Sequence, residues 1–170
     1  MEFKAYIQQA YEYMYWATQR YFAVAEGLNE EQLHRLQGHS WGDVYATLVH
    51  MMSSEWTWLQ RAKGISPKKA LDPAEYPTLA AVKQRWAELQ AETRSFLEAQ
   101  TDESLQAPLS YTNTRGETFQ VPLWQMLAQV INHQTHHRGE LAAMYALMNV
   151  PHPEEEMIQY FLTTSGQKQF

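Results

Sequence analysis

The chain has 170 residues, 45% of them hydrophobic and 13% aromatic, which is enough for one domain with a sizeable core. Its formal charge is −6, with no basic footprint for nucleic acid, and no window approaches the ~20 apolar residues of a membrane-spanning helix. Cysteine is absent, so disulfides and thiolate metal ligands are excluded, and an acidic protein of the cytoplasm is expected.

The periodicity is helical along most of the chain. Tyr6, Ala10, Tyr13, Ala17 and Tyr21 recur at steps of three and four, predicting a first helix over residues 2–27 that stops at Gly27. Asn29 and Gln32 have the spacing of a capping box and open a short helical turn through Leu36. Ser40 and Asp43 have the related spacing at the head of a second long helix, from about Trp41 to Lys63, ending at Gly64. Residues 65–77 carry Pro67, Pro73 and Pro77 and read as a loop, after which Thr78 caps a third helix over about 79–100. Leu109 to Val121, around Asn113-Thr114-Arg115-Gly116, predicts a small β-hairpin or extended excursion. Pro122 suits the first turn of a fourth long helix ending near Asn149. Pro151 and Pro153 precede a last short helix through about Leu162, with Glu154-Glu155-Glu156 as its charged first turn. There is no internal repeat or linker. Residues 1–170 therefore form one domain, expected to be an all-α four-helix bundle with the hairpin between helices three and four.

The chemistry concentrates in Asn132-His133-Gln134-Thr135-His136-His137-Arg138-Gly139. His133 and His137 are four residues apart, so on a helix both imidazoles leave one face and can reach one divalent metal ion. Both lie on the apolar stripe Met126, Val130, His133, His137, Leu141, Met144 and Met148, which faces the bundle interior. His136 is rotated off that stripe by roughly 60° and shares a face with Gln129, Asn132, Gly139 and Ala143. The 133/137 pair is therefore favoured over 133/136. In the second helix, His50 stands among Ala46, Thr47, Ser53, Ser54 and Thr57, small side chains that leave room for a metal and a substrate. The tryptophans, Trp16, Trp56, Trp58, Trp86 and Trp124 among them, read as core and interface filler. Imidazole ligands without thiolates suit Zn or Ni foremost, with Fe, Mn and Co also compatible.

These residues carry a resemblance. Gly38-His39-Ser40-Trp41-Gly42, Thr47-Leu48-Val49-His50 followed by Glu55, Trp58 and Leu59, then Tyr111 with Gly116, and Leu123-Trp124-Gln125 leading into the histidine cluster, are together similar to the DinB-like, YfiT-like family. That family consists of bacterial metal-binding four-helix bundles, and it shades into thiol-dependent S-transferases and isomerases. The match spans nearly the whole chain. The resemblance implies a three-histidine metal site, which carries over to His50, His133 and His137, and it implies a homodimer. The aromatic-rich first helix and the small-residue side of helix four (Asn132, Gly139, Ala143) are the surfaces expected to form that dimer. Two positions depart from the family pattern. Gln129 stands where a further histidine is frequent, and Glu140 where glutamine usually follows Arg-Gly. Glu140 brings a carboxylate three residues after His137, placed to be a fourth ligand, a partner to a ligand, or a catalytic base.

Three neutral histidines leave a coordination position for water or a substrate atom, the mark of a catalytic rather than a closed structural site. The expected function is a metal-dependent hydrolase, or an S-transferase acting with a low-molecular-weight thiol, on a small molecule. The competing expectation is a metal-binding stress or sensing protein without turnover.

Overall fold

Side-chain caps at Asn29, Asp43, Thr78 and Thr101 set where four of the helices begin. In the computed structural model, which describes residues 2–168, α1 spans Phe3–Glu26 and closes at Gly27. The terminal residues 1, 169 and 170 of the expected domain lie outside the described residues. The Asn29–Gln32 capping box is formed in both directions and starts a single turn, α2, Glu30–Leu33. The second long helix, α3, is Val44–Ala62, three residues shorter at its head than the sequence suggested. Ser40 and Gly42 adopt left-handed backbone (φ 51° and 99°), which interrupts the helical path, and Asp43 instead caps the backbone N–H of Ala46.

Residues 65–77 form the expected proline-rich loop, broken by one 3-10 turn at Pro73–Glu75. Thr78 caps α4, Leu79–Glu98. A further short helix, α5, Asp102–Gln106, starts at a Thr101–Ser104 capping pair that the sequence reading passed over. The hairpin is present as β1, Pro108–Thr112, and β2, Thr118–Pro122, antiparallel with Ser110 opposite Gln120. Pro122 caps rather than begins α6, Leu123–Leu147, because its φ of −55° comes with an extended ψ of 142°. The last helix, α7, is Met157–Thr164. The Glu154-Glu155-Glu156 run is therefore not its first turn. It precedes the helix, and Glu155 is spent on an ion pair with Arg138.

The four long helices close a ring in which α3 packs on α6, α6 on α1, α1 on α4 and α4 on α3. Two apolar clusters fill it. One is built around Leu48, Met52, Leu89, Met144 and Tyr145, and the other around Tyr11, Met14, Leu105, Leu127 and Val130. No helix among the described residues is long and apolar enough to cross a membrane. The α3·α6 seam brings His50 opposite the histidine cluster.

Candidate metal centre

Position 50 lies two turns into α3, and positions 133 and 137 lie one turn apart in the middle of α6. Where the helices cross, the three rings meet. His50 Nε2 is 3.1 Å from His133 Nε2, and His137 Nε2 is 3.2 Å from that same atom. A neutral imidazole Nε2 carries either one proton or one in-plane lone pair, so His133 cannot satisfy both neighbours by hydrogen bonding alone. A cation at the centre would resolve that conflict. Tetrahedral ligation at a zinc–imidazole distance of about 2.0–2.1 Å would space the nitrogens about 3.3 Å apart, close to the observed separations. The residues present thus fit a divalent ion.

The electrostatics point the same way. Burial, reinforced by mutual repulsion between the rings, pushes His50 down to about 3 and His133 down to about 4. Both are therefore neutral, as a ligand must be, throughout the neutral range.

Glu140 stands behind the centre rather than in it. Its Oε2 is 2.6 Å from His137 Nδ1, the ring edge turned away from the other histidines, and the same oxygen accepts the Ser40 hydroxyl. Burial opposes ionisation of Glu140, yet the Ser40 and His137 contacts outweigh it and hold its carboxyl below the usual range. His136 points outward. Its side chain is 65% exposed against 8% for His137; it reaches Glu140 at 3.3 Å and meets the His137 ring edge-on, centroids 5.0 Å apart. His136, His137 and Glu140 do form a second compact group of potential ligands, but it uses the Nδ1 edge of His137 that Glu140 already occupies.

The segment ahead of α3 lies over the site. Trp41, expected within the helix, instead stacks on His50 with ring centroids 3.9 Å apart and planes within 17°. Ser40 and Trp41 thus touch the site from a short strap whose left-handed residues no helical periodicity could reveal.

The chain matches the DinB family model over residues 1–161. The chain belongs to the DinB family. Protein DinB of Bacillus subtilis (strain 168) is 28% identical over 139 residues, covering 79% of this chain and 81% of that protein. The crystal structure of a DinB-like protein from Bacillus cereus ATCC 10987 superposes with a TM-score of 0.59 at 19% identity. It covers 87% of this chain and 94% of the other, and supports the fold.

Glu55 and Arg138 appear in the sequence motifs, but their burial was not read from them. Glu55 sits wholly inside the bundle, accepting from the Tyr15 hydroxyl at 2.9 Å and the Trp86 indole N–H at 2.8 Å, with Thr93 at 3.5 Å. Burial pushes it up to about 7 despite these donors. Its signal was its spacing, three residues after Met52 and four before Leu59 on an apolar stripe. Arg138 is fully buried, paired with Glu155 and bonded to Thr135 Oγ1 at 3.0 Å.

Proposed function

We propose that this DinB family member is a metal-dependent enzyme acting on a small molecule, either a hydrolase or an S-transferase that uses an external thiol, with the ion held by His50, His133 and His137. The observation that carries this reading is the convergence of three Nε2 atoms, with no fourth His, Cys, Asp or Glu joining the group among the described residues and the Ser54 hydroxyl 3.5 Å from His133 Nε2. Glu140, the carboxylate within reach, is turned to the back of His137. A divalent ion, with Zn or Ni foremost and Fe, Mn or Co compatible, supplies Lewis-acid activation of a water, a thiol or a carbonyl at the open position.

The protein's own groups prepare that position. Ser40 donates to Glu140, and Glu140 accepts the Nδ1 proton of His137, which leaves the Nε2 lone pair facing inward. We assign Glu140 as a positioning residue on this geometry, in place of a base. Trp41 covers one face of the His50 ring and keeps water from it. The thiol in the transferase version has to be a separate small molecule, because the chain has no cysteine.

Metal analysis of the purified protein, followed by turnover assays with 4-nitrophenyl acetate and with 1-chloro-2,4-dinitrobenzene plus free cysteine, tests the reading. One equivalent of divalent metal and activity abolished by chelation are expected. Glu140→Ala should weaken metal affinity by roughly 10–100-fold. Metal binding without turnover of either kind would leave a metal-holding protein and remove the enzymatic claim. Activity indifferent to chelation would remove the metal from it.

A further inference from the structure

A cavity of about 320 Å³ lies against the centre, walled by Trp41, Tyr45, Val49, His50, Leu71 and Pro73. It shares His50 and its stacked partner Trp41 with the candidate metal site. Its floor is the small-residue face of α3, where Ala46 and Ser53 flank His50. The opposite wall is the proline-rich loop, and that loop is pinned. The Leu71 backbone N–H donates to Ser53 Oγ at 3.0 Å, and the Tyr45 hydroxyl donates to the Tyr76 carbonyl. These two bonds hold the loop wall of the pocket against α3.

Its chemistry is one-sided. Among the described residues no charged side chain lines it, and the Ser53 and Tyr45 hydroxyls are engaged with backbone. An ionic or richly polar group placed there would lose its hydration without compensation. A cavity of about 150 Å³ suffices for benzene, so this one has room for on the order of ten non-hydrogen atoms, an aryl ring with a substituent or a medium alkyl chain.

We infer that this pocket holds the uncharged, apolar part of the substrate, an aryl or alkyl group, while the reactive atom of the same molecule meets the histidine centre. The inference deepens the proposed function and rests on its reading of the centre as a small-molecule site. It makes the preferred substrate a small amphiphile with an apolar tail, and sets aside sugars, nucleotides and charged amino acids.

A homologous series of n-alkyl thiols, from ethanethiol to hexanethiol, tests it on the cobalt(II)-substituted protein, with affinity read from the cobalt spectrum. Affinity should rise about fourfold with each methylene until the pocket is full. Ala46→Leu on the α3 floor, and Ala70→Leu on the loop, where Ala70 also lines the cavity, should flatten the series while leaving the cobalt spectrum without thiol unchanged. Thiols that bind with no dependence on chain length, or a dependence untouched by both variants, would overturn the pocket assignment and leave the metal reading standing. Calorimetry with hexan-1-ol on the metal-free protein probes the pocket alone. Binding that both leucine variants abolish supports the assignment even where cobalt is not taken up, and that second failure would fall on the three-histidine reading. Absence of hexanol binding together with a flat thiol series would remove the pocket.

Discussion

Glu55 shows what a carboxylate does when a bundle closes around it. It keeps two close neutral donors, Tyr15 and Trp86, yet burial still lifts it from the ordinary value of 4.5 to about 7. The folded state therefore holds its proton over a range where the unfolded chain has released it. Its contribution to stability is complete below pH 4.5 and is lost as pH rises through 7. A gap of that size amounts to on the order of 3 kcal/mol. His50 and His133 act with the opposite sign in the metal-free protein. Their folded values of about 3 and about 4 lie below the ordinary 6.5, so stability falls as pH drops below 6.5. In Glu55→Gln the amide oxygen can accept from Trp86 and the amide nitrogen can donate to Tyr15. Thermal unfolding of metal-free protein between pH 5 and 8 should show the wild type losing stability toward pH 8 while this variant does not. Parallel curves for the two proteins would mean that Glu55 does not titrate in this range.

At the scale of elements, α6 decides most of the structure. The histidine stripe was legible because Met126, Val130, His137, Leu141 and Met144 repeat with helical spacing, and all of them are buried as expected. Helix boundaries set by regular caps were equally legible at Asn29 and Thr78. A single inward stripe was too narrow, however. α6 packs on both α3 and α1, so it buries a wider arc that also takes in Gln134, Arg138 and Tyr145. Polar residues on that second stripe look like surface until their partners are known, and the partner of Arg138 is seventeen residues on, in a segment with no periodicity. Ser40 and Trp41 were illegible for a related reason, since left-handed backbone at Ser40 and Gly42 redirects the chain where side-chain spacing carries no such signal. The Arg138–Glu155 pair, with Tyr13 donating to the Glu155 carbonyl at 2.9 Å, ties the segment before α7 to the helix that carries His133 and His137. Arg138→Leu strands a half-buried carboxylate and should cost about 3 kcal/mol in urea unfolding. A loss below about 1 kcal/mol would show that the pair is not a significant tie.

At the scale of the whole molecule, the faces left exposed decide how copies of the chain can meet. The first-helix aromatics expected at a dimer contact mostly turn inward, with Tyr11, Tyr13, Tyr15 and Tyr21 buried, so they are spent on the core. Asn132, Gly139 and Ala143 remain exposed on α6, and Tyr6, Met157 and Ile158 form an apolar patch where α1 meets α7. We propose that a homodimer uses these two exposed regions. Light scattering should give twice the chain mass at micromolar concentration, and Ile158→Glu should shift it toward one chain; a monomer mass in the wild type would refute the dimer.

The centre itself is tested most directly by metal content and affinity measured side by side for the wild type and for His50→Ala, His133→Ala, His137→Ala and His136→Ala. The three inward variants should each lose the divalent ion, and His136→Ala, whose ring lies outside the Nε2 cluster, should keep it. Retention of the metal by His137→Ala together with its loss from His136→Ala, or full retention by all four, would contradict a centre built from His50, His133 and His137.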